Sequence, residues 1–91
     1  MSESDRWQVI LKRRPEKVLR RLPQDLRRRI DQAILDLAHN PFPEGHKKLV
    51  GYENLYRIRV SDWRISYAVE NDRLIVLVLE ITPRGGAYRS S

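Results

Sequence analysis

Three short apolar-rich runs follow one another almost without pause in the second half of the chain: Leu55 to Val60, Trp63 to Val69 and Leu74 to Ile81. A two-residue link, Ser61-Asp62, joins the first two, and a polar turn at Asn71-Asp72 joins the second to the third. Links this short permit antiparallel strands and exclude parallel ones, which need a crossover. Successive side chains on a strand point to opposite faces, so Tyr56, Ile58 and Val60 share one face and Leu55, Arg57 and Arg59 the other. In the next run Trp63, Ile65, Tyr67 and Val69 alternate with Arg64, Ser66, Ala68 and Glu70. One face of this meander is core, and the other carries Arg57, Arg59 and Arg64. The third run is apolar at nearly every position, the pattern of a central strand covered on both faces. It continues into Pro83-Arg84-Gly85-Gly86-Ala87-Tyr88-Arg89, which brings two more arginines and a tyrosine out of the middle of the sheet.

The earlier half reads as support for that surface. Trp7, Val9 and Leu11 alternate with Gln8, Ile10 and Lys12, predicting a first strand over Arg6 to Lys12. Pro15 suits a first helical position, and Val18, Leu19 and Leu22 make a short apolar stripe. Pro23 interrupts that helix, and a second begins there or just after, with Leu26, Ile30, Ile34 and Leu37 at helical spacing through about Ala38. Asn40-Pro41 ends it, and Pro41, Pro43 and Gly45 predict a loop as far as Gly51. The expected architecture is α+β: a four-stranded antiparallel sheet with two N-terminal helices packed on one face, in the order β-α-α-β-β-β. The helices would cover Tyr56, Ile58, Ile65 and Tyr67, leaving the arginine face open. Sequence order alone allows the first strand at either edge. Ninety-one residues make one domain, residues 1–91.

Composition narrows the function. With no cysteine there is neither a disulfide framework nor a thiolate metal site. No run approaches the roughly 18 apolar residues of a membrane span, and the first ten residues hold Glu3, Asp5 and Arg6 with no apolar run, so a soluble, cytoplasmic protein is expected. The net charge is +6, and fourteen of the eighteen basic residues are arginine. Arginine presents a planar fork of donors matched to phosphate and carboxylate, which favours nucleic acid or an acidic protein as partner. Nine Lys or Arg lie between Lys12 and Arg29, with Glu16 and Asp25 the acids among them. That run serves equally well as a solvated helical face, and the triplet Arg27-Arg28-Arg29 cannot all point one way.

The candidate chemistry sits on the open face. Arg57, Arg59, Arg64 and Arg84, with Tyr88 and Arg89 on the tail, would hold an RNA backbone and stabilise the extra negative charge of a pentacoordinate phosphorus. A guanidinium cluster would lower the pKa of Tyr88 and suit it to deprotonate a ribose 2′-hydroxyl, whose attack on the adjacent phosphate needs no metal. The plain alternative is a half-exposed sheet with Tyr88 a packed tail residue. His39 and His46 lack a carboxylate at ligand spacing, so no metal is expected, and no cofactor. Gly85-Gly86 reads as a turn, and Trp63 and Tyr67, at core parity, as packing.

Three pieces carry a resemblance: Leu49-Val50-Gly51 leading into Leu55-Tyr56-Arg57-Ile58-Arg59, then Trp63-Arg64-Ile65-Ser66-Tyr67, then Arg84-Gly85-Gly86-Ala87-Tyr88-Arg89. In this order and spacing the chain resembles the RelE/ParE superfamily of toxins from type II toxin-antitoxin pairs, over nearly its whole length, as a single RelE-like toxin domain. The resemblance implies an endoribonuclease, an mRNA interferase that cuts messenger at the ribosome, in the 30S A site, and inhibits translation. Arg57 and Arg59 then stand where RelE-type members carry lysines, Arg64 and Arg84 match family arginines, and Tyr88 matches the terminal tyrosine proposed as base. Arg57, Arg59, Arg64 and Arg89 would contact RNA. Arginine keeps its proton, so the change from lysine makes Arg57 and Arg59 clamps rather than proton donors. The resemblance also implies a cognate acidic antitoxin, wrapping the helices and covering or disturbing the arginine face. Two other readings stay open: a ParE-type inhibitor of DNA gyrase without nuclease activity, and a non-catalytic RNA-binding module on the same face.

Overall fold

The computed structural model describes residues 7–83. In chain order the elements are β1 (Gln8–Leu11), α1 (Arg13–Arg21), α2 (Gln24–Leu37), β2 (Lys47–Lys48), β3 (Leu55–Val60), β4 (Trp63–Glu70) and β5 (Ile75–Pro83). They form one five-stranded sheet in the order β1-β5-β4-β3-β2. Both helices lie on one side of it, as the α+β reading requires. Leu19, Ile30, Ile34 and Leu37 of the helices meet Ile58, Ile65, Tyr67, Val69, Val76, Val78 and Ile81 of the sheet in a single core. Trp7, Val9, Leu11 and Trp63 pack against it from core parity.

The helices form as their apolar spacing demands, but Pro15 is the third residue of α1, not the first. Its missing N–H still costs nothing there, because first-turn donors have no intrahelical partner. Pro15 is buried, so its ring contributes to packing as well. Pro23 caps α2 at its N-terminus, and Arg27 N–H closes the first turn on the Pro23 carbonyl at 2.9 Å.

Three details of the sheet correct the expectation. First, β1 runs parallel to β5, Val9 opposite Val76 and Leu11 opposite Val78, so the sheet is mixed rather than wholly antiparallel. Everything from α1 to β4 intervenes between these strands, so no short link constrains their direction. Second, the segment expected as loop contains β2, where Lys47 and Lys48 pair with Arg57 and Tyr56, giving five strands instead of four. Third, β5 does not alternate regularly along its length, because it carries a β-bulge. The register steps from Ser66 opposite Glu80 to Tyr67 opposite Val78, leaving Leu79 as the extra residue. Val76 and Val78 therefore reach the core before the bulge and Ile81 after it, while Leu77 and Leu79 are half-buried and Glu80 is exposed. The run Leu74 to Ile81 also shifts by a residue at its start: Leu74 is in the turn, at φ +53°, and the strand extends to Pro83.

Between α2 and β2 the chain crosses the end of the core. Pro41 is buried, and its carbonyl accepts a 2.7 Å hydrogen bond from the Tyr67 hydroxyl. Phe42 stands edge-on to Tyr56 at 5.1 Å, and Tyr56 stacks on Tyr67 at 6.0 Å between ring centres. His46 joins this aromatic group and has its Nδ1 2.8 Å from the Pro43 carbonyl oxygen, which accepts the ring N–H. This assembly ties the loop down and delivers Lys47 to the edge of β3.

Candidate functional site

The β3–β4 hairpin builds the site. Its two-residue turn places Val60 opposite Trp63, and the next pair inward is Arg59 opposite Arg64. Ser61 opens the turn at φ +57°, a left-handed conformation of the kind tight hairpins require. Directly opposed residues share a face with their Cβ atoms about 5 Å apart. Two guanidinium side chains therefore rise side by side from the face away from the helices. Arg57, two residues along β3, joins them opposite Ser66. Lys47, opposite Arg57 on the edge strand, extends the group to four cations across three strands.

Like charges set directly opposite destabilise a sheet pair. Among the described residues no carboxylate lies within ion-pairing distance of Arg57, Arg59 or Arg64; the salt bridges Arg20–Glu16 and Arg73–Glu70 lie elsewhere. The strain shows in Arg57, whose pKa is lowered by partial burial first and then by the charges of Arg64 and Arg59. It remains a cation at any working pH. Arg64 is half-buried, and its Nε is shut from solvent with no hydrogen-bond partner among the described residues. An unmade bond of this kind costs about 1–3 kcal/mol. A face that keeps three crowded guanidinium groups and an orphaned donor is poorly arranged for stability and well arranged to receive an anion.

Sequence parity thus placed Arg57, Arg59 and Arg64 on one face, and the fold brings them together. Arg84, Tyr88 and Arg89 lie outside the described residues, as do Gly85 and Gly86. Lys47 was missed because its strand has no apolar periodicity of its own. Glu80 was missed as well: opposite Ser66, it is the exposed carboxylate on this face next to the cluster. The bulge put it there. No group of three His, Cys, Asp or Glu that could hold a metal occurs among the described residues, His39 and His46 included. No described helix is long and apolar enough to cross a membrane.

A paired-helix layer on one face of a mixed five-stranded sheet gives this small α+β chain the fold class of the RelE toxins, with the arginine cluster on the opposite face. The comparisons agree. Residues 9–88 match the model of the ParE toxin of type II toxin-antitoxin systems, parDE, and the chain belongs to that RelE/ParE superfamily of toxins. It is 31% identical over 88 residues to the Methanocaldococcus jannaschii protein that carries the name toxin RelE1, covering 93% of this chain and 98% of the relative. The RelE–RelB complex from Pyrococcus horikoshii is similar at a TM-score of 0.81 and 30% identity, covering 90% of this chain and 99% of that one. Isolated Escherichia coli RelE shares the fold at a TM-score of 0.77 and 21% identity, covering 92% and 90%.

Proposed function

We propose that this toxin is a metal-independent endoribonuclease that cuts messenger RNA in the A site of the ribosome and so stops translation in the cytoplasm. The observation that carries the reading is the juxtaposition of Arg57, Arg59 and Arg64 on the open face, crowded and without carboxylate partners among the described residues. In the proposed reaction the 2′-oxygen of one ribose bonds to the adjacent phosphorus as its proton passes to the Tyr88 phenolate. The bond from phosphorus to the 5′-oxygen breaks, and that oxygen takes up a proton. The products are a 2′,3′-cyclic phosphate and a free 5′-hydroxyl end. Arg57, Arg59 and Arg64 hold the non-bridging oxygens as charge builds on them, with Arg84 completing the clamp from the tail and Arg89 contacting RNA beyond it. The arginines keep their protons, so the 5′-oxygen draws its proton from another source. Nucleophile and leaving group are both ribose oxygens, and the arginines supply the positive charge that a metal would otherwise bring.

As a toxin of this superfamily, the chain is proposed to be held by a cognate acidic antitoxin, as RelE of P. horikoshii was solved with RelB. The match to the ParE model favours one second reading, inhibition of DNA gyrase without cleavage. One experiment separates the two. Purified protein is added to ribosomes translating a defined messenger, and separately to free RNA and to a gyrase supercoiling reaction. Primer extension then maps any cuts. A-site cuts that vanish in Tyr88→Phe and Arg64→Ala are the expected result. Intact messenger with lost supercoiling would replace the ribonuclease reading by the gyrase one. If Tyr88→Phe still cleaves, tyrosine is not the base.

A further inference from the structure

The helix side of the same hairpin carries a second basic feature. A shallow pocket of about 630 Å³ opens between the first half of α2 and the β3–β4 turn, lined by Asp25, Leu26, Arg28, Arg29 and Ser61. Arg29 Nη1 donates a 3.0 Å hydrogen bond to Ser61 Oγ, which ties the helix to the strained turn. Arg28 and Arg29 are both exposed, and among the described residues neither has a carboxylate within ion-pairing distance, Asp25 included.

We propose that Arg28, Arg29 and Ser61 form a second phosphodiester-binding subsite, which rests on the reading of RNA as substrate. The chemistry favours phosphate over carboxylate. With its oxygen accepting from Arg29, the Ser61 hydroxyl keeps its own proton to donate, so the pocket offers two guanidinium forks and an O–H. Three donors around one pocket suit a tetrahedral phosphate, whereas a planar carboxylate is satisfied by one fork. Position favours the same ligand as the main face. Ser61 and Asp62 form the turn, and Arg59 and Arg64 are the second pair inward from it, so one hairpin end separates the two basic groups. A single strand seated on Arg57, Arg59 and Arg64 passes around that end and sets a neighbouring phosphate on Arg28 and Arg29. The phosphate comes from the messenger itself or from ribosomal RNA, two sources of one chemistry.

The test uses the full chain and a short fluorescent 2′-O-methyl RNA, whose blocked hydroxyls cannot attack, so binding is read apart from cleavage. For Arg28→Gln/Arg29→Gln the slope of log affinity against log salt should fall by about 0.7, the value for one phosphate of a single strand. Arg20→Gln/Arg21→Gln removes the same charge from α1 and should leave the slope unchanged. A deficit with the isolated RNA assigns the phosphate to the messenger, and a deficit confined to ribosome co-sedimentation assigns it to ribosomal RNA. Equal slopes in the two double variants together with equal ribosome co-sedimentation, or weakened antitoxin binding with binding to RNA and ribosomes intact, would overturn the subsite. A slope change in a protein that never cleaves RNA keeps the subsite and removes the nuclease reading. Cleavage by the wild type with neither a slope change nor a co-sedimentation deficit in Arg28→Gln/Arg29→Gln does the reverse.

Discussion

The Tyr67 hydroxyl donates a 2.7 Å hydrogen bond to the Pro41 carbonyl, fastening the middle of β4 to the segment that leaves α2. Both residues are buried, so neither partner can turn to water if the bond is lost. Tyr67→Phe strands the carbonyl and should cost about 1–2 kcal/mol, measured by urea unfolding at neutral pH.

The same tyrosine gives a pH signature. Burial, and Tyr56 beside it, raise its pKa in the fold. An unfolded tyrosine titrates near pH 10, so the stabilising preference for the protonated form is complete below about that value. As the pH rises further the unfolded chain sheds its proton first, and stability declines until the folded value is passed. In unfolding series above about pH 10 the wild type should lose stability more steeply than Tyr67→Phe. Parallel curves would show that Tyr67 is not the group responsible.

Arg59 and Arg64 repel each other across the hairpin. Arg59→Gln should therefore stabilise the fold by about 0.5 kcal/mol, raising Tm by about 2–4 °C. The gain should shrink in high salt, where the repulsion is screened. Binding of RNA should weaken in the same variant, so that stability and function move in opposite directions.

Lys47 contributes one charge to the edge of the cluster. Lys47→Ala should weaken RNA binding to a similar degree for every sequence, lower the salt slope by about 0.7 and leave thermal stability within about 0.5 kcal/mol.

Gly51 takes φ +90° in the loop joining β2 to β3, with open space around it. An alanine there meets no neighbour but forces a left-handed backbone, so Gly51→Ala should cost about 1 kcal/mol by differential scanning calorimetry. Hydrogen exchange should show the loss as faster opening of β2 and β3 rather than of α2.

What the sequence made legible follows from what periodicity can encode. Ile30, Ile34 and Leu37 announce a helix because helical spacing is written in the residues themselves. Arg57, Arg59 and Arg64 could be assigned to one face because alternation is local to each strand. Lys47 and Lys48 have no such signature: they are a strand only because β3 offers them partners. The parallel seat of β1 is likewise a property of the assembled sheet, as is the slip at Ser66 and Tyr67 that turns Ile81 inward and Glu80 outward. Single-strand patterns do not carry relations between distant segments. Arg84, Tyr88 and Arg89 were legible as chemistry alone.

The pairing of β1 with β5 also sets the order in which a new copy can mature. The β3–β4 hairpin is local and can close early, but Gln8 to Leu11 have no strand to join until Ile75 to Val78 have been made. Contacts so far apart in the chain form slowly, because a long loop must close before they stabilise anything. Until β5 has been made, β1 has no strand to pair with, and the helices lack the part of the core that Val76, Val78 and Ile81 supply. The completed sheet therefore forms late, with a delay written into the topology.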